Sequence, residues 1–317
     1  MRAVRYHDHG GPEVLDVDDI DRPEPGGHEL LVRVEAAGVN PVDTYFREGS
    51  FQPSQLPMTP GSDFAGIVEE AGDWTPGFEA DDRVFGTGLG RDHQGSYAEY
   101  VLVPTDRIAH LPENVGFGAG GGAGVAAVTA WRALIDHAGL EPAETCLIHG
   151  GSGGVGHAAV QLAAATGADV LTTASPEYHE ALEGLGADAV FDYADENLEE
   201  VVGEYEPAVI LDHRLDEYLD FDAAVAQQGA RIVGIGNTVP EAGWENVPAA
   251  RAKELRVHLM SMFNTPDLSR PLERLATLME RGELSIRVER SYSLEEAGEA
   301  QRAVLEESFL GKLLIEP

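Results

Sequence analysis

Cysteine and lysine are almost missing from this chain. Its one cysteine, Cys146, rules out an intrachain disulfide and any zinc site built from several thiolates. Lysine occurs only at Lys253 and Lys312, and Lys plus Arg number 21 against 56 Asp plus Glu, a formal net charge of −35. So little basic surface argues against nucleic acid and anionic membranes as partners. No run approaches the ~20 apolar residues that span a bilayer. The opening Met1-Arg-Ala-Val-Arg-Tyr-His-Asp-His-Gly lacks the apolar core of a signal peptide. No membrane insertion and a cytoplasmic location are the expectations.

The acids are spread along the whole chain, and self-repulsion on this scale destabilises a compact state in dilute buffer. At about 1 M salt the Debye length falls to roughly 3 Å and most of that repulsion is screened. The pattern fits adaptation to a salt-rich cytoplasm. An unusually acidic protein of an ordinary cytoplasm is the plainer reading of the same count. With 317 residues, 43% of them hydrophobic, the chain is long enough for about two domains of ~150 residues, each with its own core.

The texture changes once along the chain. Residues 1–118 read as β-rich, with short strands expected at 2–7, 14–17, 30–36, 81–85 and 97–103 and frequent Pro and Gly between them. From about 119 a glycine cluster, expected to be flexible, turns into a helix, and strands and helices then alternate. Strands are expected at 145–149, 169–173, 189–191, 207–211, 230–234 and 255–262, and helices at 154–166, 177–184, 195–202 and 217–227. That rhythm predicts βαβ units and a doubly wound parallel sheet. Helices at 271–281 and 294–305 and a strand at 312–315 close the chain.

One stretch organises the second half. An apolar strand ending at His149-Gly150 is followed by Gly151-Ser152-Gly153-Gly154-Val155-Gly156, and then by a helical pattern through Ala159 and Leu162. Glycines at this spacing between strand and helix permit a tight turn. They let backbone N–H groups approach a pyrophosphate, towards which the following helix directs its positive end.

Several further motifs, in order and at matching separations, accompany that loop. They are Gly10-Gly-Pro-Glu-Val-Leu, Ala37-Gly-Val-Asn-Pro-Val-Asp-Thr-Tyr, Pro60-Gly-Ser-Asp-Phe-Ala-Gly-Ile-Val, Gly95-Ser-Tyr-Ala-Glu-Tyr, Thr129-Ala-Trp and Gly311-Lys-Leu. Together they resemble the zinc-free quinone oxidoreductase branch of the medium-chain dehydrogenase/reductase superfamily, the group that includes zeta-crystallin. The resemblance covers nearly the whole chain. It implies an α/β fold: a Rossmann doubly wound parallel sheet, residues 119–262, inserted in a GroES-like β-rich catalytic domain, residues 1–118 plus 263–317. It further implies a cleft between the domains where substrate and nicotinamide meet, a homodimer, and a small-molecule quinone or conjugated enone as hydride acceptor from NADPH. Reduction of an enoyl thioester, or dinucleotide binding without catalysis, remain alternatives within the same resemblance.

Residue by residue, zinc-dependent relatives have Cys where Asn40 stands here and His-Glu where Ser62-Asp63 stand; Asn and Ser are poor zinc ligands beside thiolate and imidazole. His7 and His9 flank Asp8 on a strand pattern that points neighbours to opposite faces, so they read as structural or surface residues. The resemblance places Asn40, Asp43 and Tyr45 in the motif lining the cleft, Asn40 to hydrogen-bond substrate or nicotinamide and Tyr45 to donate a hydrogen bond or cap the pocket. For Asp43 a role in fixing the loop stands beside a catalytic one. Tyr45 as a general acid needs its ordinary pKa of ~10 lowered. Thr129 is a candidate nicotinamide or substrate contact, or an ordinary helix hydroxyl.

For the cofactor, the second strand ends in Ala174-Ser175-Pro176, with no Asp or Glu at the turn to bind a ribose 2′-hydroxyl. That favours NADPH, with NADH possible. Ser175 has room for a 2′-phosphate, and Tyr193 matches a tyrosine the family uses nearby. Yet no Lys or Arg occurs between Arg132 and Arg214, so a 2′-phosphate is left with Ser175, Tyr178, His179, Tyr193 or the distant Lys312. Arg214 is the only base among sixteen acids from Glu177 to Asp222, so local charge pairing competes with a role for His213 or Arg214 facing the cofactor. Cys146, in mid-strand, reads as an inert core thiol.

Overall fold

The structure, a computed structural model, describes residues 1–317. The chain forms two compact units, Met1–Val128 with Thr265–Pro317, and Thr129–Asn264.

The first unit begins with the antiparallel pair β1 (Arg2–Arg5) and β2 (Asp16–Asp19). It continues with β3 (Glu29–Gly38), α1 (Pro41–Glu48), β4 (Phe64–Ala71), β5 (Arg83–Gly86), β6 (Tyr100–Pro104), β7 (Ile108–His110) and the helix α2 (Phe117–Trp131). The second unit runs β8 (Thr145–Ile148), α3 (Gly154–Thr166), β9 (Asp169–Thr173), α4 (His179–Gly184), β10 (Ala189–Phe191), α5 (Leu198–Gly203), β11 (Val209–Asp212), α6 (Leu215–Val225), β12 (Arg231–Gly234), α7 (Val247–Ala252) and β13 (Arg256–Leu259). The chain then returns to the first unit with α8 (Ser269–Glu280), β14 (Val288–Tyr292), α9 (Ala297–Glu306) and β15 (Lys312–Ile315).

In the first unit a seven-stranded sheet has the order β14-β15-β3-β4-β5-β7, with β6 also paired to β3. All its pairs are antiparallel except β14 with β15. Alternation along β3 puts Leu30, Val32 and Val34 into a core with Phe64, Val84, Val101 and Ile315. In the second unit six parallel strands have the order β10-β9-β8-β11-β12-β13. The order reverses direction between β8 and β11, and in such open sheets ligands bind outside the carboxyl ends of the strands at that point.

Two expectations need correction. The glycine cluster at 120–124 is not a flexible segment: it lies within α2. A Cβ at Gly121 would stand 2.7 Å from the Ala36 carbonyl oxygen, and one at Gly124 would stand 2.2 Å from Asp63 Oδ1. Glycine here lets a helix touch β3 and β4 at backbone range. The first unit therefore extends to Val128 rather than 118. Separately, α1 and β4 were not expected as elements. Yet α1 carries a full set of end signals: Asn40 and Asp43 form a capping box, Pro41 is the first helical residue, and Gly49 ends the helix at φ 82°.

Candidate active site

In the second unit the glycine loop closes the turn from β8 to α3. Gly150 sits at φ 69°, and its N–H donates to Thr173 Oγ1 at 3.0 Å at the end of β9. Gly151 N–H donates to the Thr173 carbonyl at 2.8 Å. A Cβ at Gly151 would lie 2.2 Å from Thr172 Oγ1, and one at Gly156 2.1 Å from the Gly150 carbonyl, so both positions demand glycine. At Gly153 the nearest atom to an added Cβ is 3.5 Å away, so that glycine keeps the outer side of the turn low. Gly153 is also the N-cap of α3, and no side chain caps the helix. Open donors at Gly154, Val155 and Gly156, a low turn at Ser152 and Gly153, and the switch-point position suit a pyrophosphate.

Beyond β9, Ser175 Oγ lies 3.4 Å from the hydroxyl of Tyr193, which is exposed. His179 contacts the Ala174 carbonyl through Nε2 at 3.1 Å. His213 lies against the other side of the loop: a Cβ on Gly150 would come within 2.7 Å of its Cε1. Burial, with His149 and Arg214 adding to it, pushes the His213 pKa down to about 4, so the ring is neutral at pH 7. Arg214 pairs with Glu217 one turn along, which is the local charge-pairing reading of that residue. Cys146 is buried in β8, where desolvation pushes its thiol up to about 12, an inert group. Thr129 is buried on α2.

In the first unit the residues singled out around Asn40 form one buried polar cluster. Asn40 Nδ2 donates to Asp63 Oδ2 at 2.8 Å and its Oδ1 accepts from the Lys312 ammonium, which also donates to the Val39 carbonyl at 2.8 Å. Asp63 further accepts from Thr87 Oγ1 at 2.6 Å and from Val125 N–H of α2 at 2.7 Å. Asp43 accepts from Asn40 N–H at 3.0 Å, from Ser62 N–H and Oγ at 3.0 and 2.8 Å, and from the Tyr97 hydroxyl at 3.3 Å. Desolvation and the neighbouring Asp63 push Asp43 up to about 7 against those donors. Burial also raises Asp63, while the Lys312 ammonium opposes it. Burial lowers Lys312 in turn, opposed by Asp63 and Asp43.

This arrangement redistributes the expected roles. Lys312, considered above for a 2′-phosphate, is 3% exposed and its ammonium is engaged inside the first unit. Asn40, expected to meet substrate or nicotinamide, is 2% exposed with both ends of its amide in use. Asp43 fixes the β3–α1 junction. Tyr45 is half-buried, its ring centroid 6.0 Å from that of Phe51, and burial with Glu48 nearby raises its pKa, away from general-acid use. His7 pairs with Asp18 at the surface and His9 meets the Arg47 carbonyl. Nothing in the sequence marks Asp63 and Thr87 as members of this cluster. Asp63 stands in a quoted motif, but nothing local reveals that a helical glycine sixty residues on would leave room for its carboxylate.

Known proteins resemble this chain over its whole length. Residues 26–113 match the family model for the alcohol dehydrogenase GroES-like domain, and residues 185–315 match that for zinc-binding dehydrogenase. The human quinone oxidoreductase is 36% identical over 99% of this chain and 97% of its own length. The chain belongs to the quinone oxidoreductase branch of the medium-chain dehydrogenase/reductase superfamily. Among solved members of the superfamily, an NAD-dependent alcohol dehydrogenase superposes with TM-score 0.91 at 29% identity, covering 100% of both chains. The Escherichia coli quinone oxidoreductase complexed with NADPH superposes with TM-score 0.89 at 26% identity, again over 100% of both chains.

The second matching family is that of the zinc-binding dehydrogenases. In this superfamily member Asn40 and Asp63 are already bonded to each other, with a lysine ammonium held by Asn40 and 4.0 Å from Asp63. No thiolate or imidazole belongs to that cluster. The residues do not fit zinc.

Proposed function

We propose that this chain is an NAD(P)H-dependent reductase that transfers hydride to a quinone or conjugated enone without a metal. The observation that carries the reading is the glycine cradle at the switch point of a β10-β9-β8-β11-β12-β13 parallel sheet, in a chain whose relatives include quinone oxidoreductases.

Gly151 to Gly156 would hold the pyrophosphate, and His213, neutral and against Gly150, would shape the adjoining wall. A reduced nicotinamide supplies the hydride. Without a Lewis acid, the acceptor must delocalise developing charge itself, as a quinone or enone does. Burial raises the Tyr45 pKa, which weakens it as a general acid and leaves solvent as the source of the product's proton in this reading. In the first unit the Lys312–Asn40–Asp63 cluster supplies an internal cation and rigid support for the β3–α1 junction.

NADPH is the preferred cofactor in this reading. No acid follows β9, and the Ser175–Tyr193 hydroxyl pair offers hydrogen bonds to a 2′-phosphate. Membership of the branch extends the proposal to a homodimer in the cytoplasm, and the charge extends it to a salt-rich one. No helix is long and apolar enough to cross a membrane.

The deciding experiment follows oxidation of NADPH and NADH with a quinone, an enone and an enoyl thioester at about 1 M salt. Turnover with the first two acceptors is expected, and binding of dinucleotide without turnover of any acceptor would sink the reading. Substituting Ser175→Asp places a carboxylate against the 2′-phosphate. It should weaken NADPH binding by about tenfold while NADH changes little; an equal loss for both removes Ser175 from the 2′ site.

A further inference from the structure

Behind the glycine loop lies a cluster that dinucleotide binding itself does not explain. His149, the residue between β8 and the loop, bonds through Nε2 to Asp222 Oδ1 at 2.8 Å, and both side chains are buried. Its ring stacks on Tyr218 of α6, centroids 4.4 Å apart and planes 10° apart, with Phe221 edge-on at 5.5 Å. At the end of β11 Asp212 is also fully buried; its Oδ1 accepts from Arg214 N–H at 2.6 Å. That leaves Oδ2 of Asp212 and Oδ2 of Asp222, both buried, with no N–H or hydroxyl donor. The Asp222 carboxyl stands close enough to raise the Asp212 pKa, by its charge and as a hydrogen-bond partner.

Ionised carboxylates only accept hydrogen bonds. Two of them meeting in a buried site would leave both oxygens without a protein donor, which is costly at low dielectric. One proton between them satisfies both. Asp222 already accepts from His149, so Asp212 is the group placed to carry it.

We infer that Asp212 and Asp222 share a single proton and, with His149, form a buried acid–carboxylate–imidazole chain that positions the glycine loop for the dinucleotide. The inference rests on the cofactor reading above. The chain is contiguous with the loop: His149 N–H donates to the Leu211 carbonyl at 3.1 Å, tying β8 to β11, and Gly150 follows it directly. The charged and titratable groups facing the pair are His149 from β8, His213 and Arg214 beyond β11, and Glu217 and Tyr218 from α6. Arg214 is turned to Glu217, and His213 is held neutral by burial, so neither offsets a second negative charge. Desolvation first, then Asp222, holds Asp212 up at about 7. The folded-state value is above the unfolded one, so the stabilising proton is fully bound at acid pH and is lost as pH rises through about 7. Above that, repulsion between the carboxylates loosens the Asp222–His149 contact and with it the loop.

The test measures NADH affinity by calorimetry between roughly pH 6 and 8. NADH is the probe because it lacks a 2′-phosphate, whose own second ionisation falls in that range. The wild type is expected to bind about fivefold more weakly at the upper end. Asp212→Asn keeps an N–H donor towards Asp222 at every pH and should flatten the profile. Parallel profiles in wild type and D212N would overturn the inference. Infrared spectra of the dinucleotide-free wild type decide the proton independently. A protonated-carboxyl band that persists to neutral pH and bleaches above it is expected; its absence at neutral pH also overturns the inference. If neither NADH nor NADPH binds at either pH the cofactor reading fails, while the infrared result still judges the shared proton.

Discussion

Lys312 puts a positive charge where the first unit buries two carboxyl groups, Asp43 and Asp63. Its side chain is 4% exposed and Asp63 not at all, so solvent screens little of the interaction. Removing one partner of such a set leaves uncompensated charge, which typically costs about 3–5 kcal/mol. Lys312→Met should lower stability in urea by that order. The loss should grow from acid to alkaline pH, because without the ammonium Asp43 and Asp63 are harder still to ionise and their folded-state pKa values rise further. A pH-independent loss in the urea midpoint would mark Lys312 as packing alone. The lysine itself was conspicuous in the sequence as one of two. Its partners were not, since 249 positions separate it from Asp63 in the chain and β15 meets β3 only in the folded sheet.

At the scale of elements, α2 departs furthest from its sequence expectation. Glycine is the poorest ordinary helix former, and replacing it by alanine in a helix normally gains about 1 kcal/mol. Here the sign reverses. Gly124→Ala drives a Cβ to 2.2 Å from Asp63 Oδ1, against the carboxylate that also accepts from Val125 N–H. A net loss of about 1–3 kcal/mol is expected from chemical denaturation, as for overpacked cores; a gain would show that the helix tolerates side chains on that face. The βα repeats of the second unit were legible because each strand is a short apolar run and each helix follows a turn signal. Thus β9, β10 and α3 match their expected bounds, as β15 does in the first unit. β4 was missed because Gly66 breaks its pattern; that glycine permits a Cβ-forbidding 2.0 Å approach to the Arg33 carbonyl beside a register shift.

For the whole molecule the dominating quantity is the net charge of −35. Exposed like charges separated by more than a Debye length are screened as that length shrinks from about 10 Å at 0.1 M to about 3 Å at 1 M salt. The melting temperature should therefore rise by about 5 °C or more over that range, and equally in KCl and NaCl if screening is the cause. A melting temperature that stays level or falls would leave the acidic surface without a salt-dependent role. Lys253 shows how few cations offset this charge: its ammonium is spent on the carbonyls of Ala224 and Ala226 rather than on a carboxylate.

The sequence by itself determined the parallel βαβ half, the place of the glycine turn between β8 and α3, the family, and the absence of Cys and His at Asn40, Ser62 and Asp63. Each is written locally, in periodicity, in spacing or in the chemistry of single residues. Tertiary structure alone decided that Lys312 bonds Asn40 inside the first unit, that the glycine run is a helix pressed on Asp63, and that Asp222 is buried against His149. Those facts depend on which buried groups become neighbours. In an interior that cannot solvate a charge, it is the neighbour, not the residue, that fixes where the proton or cation resides.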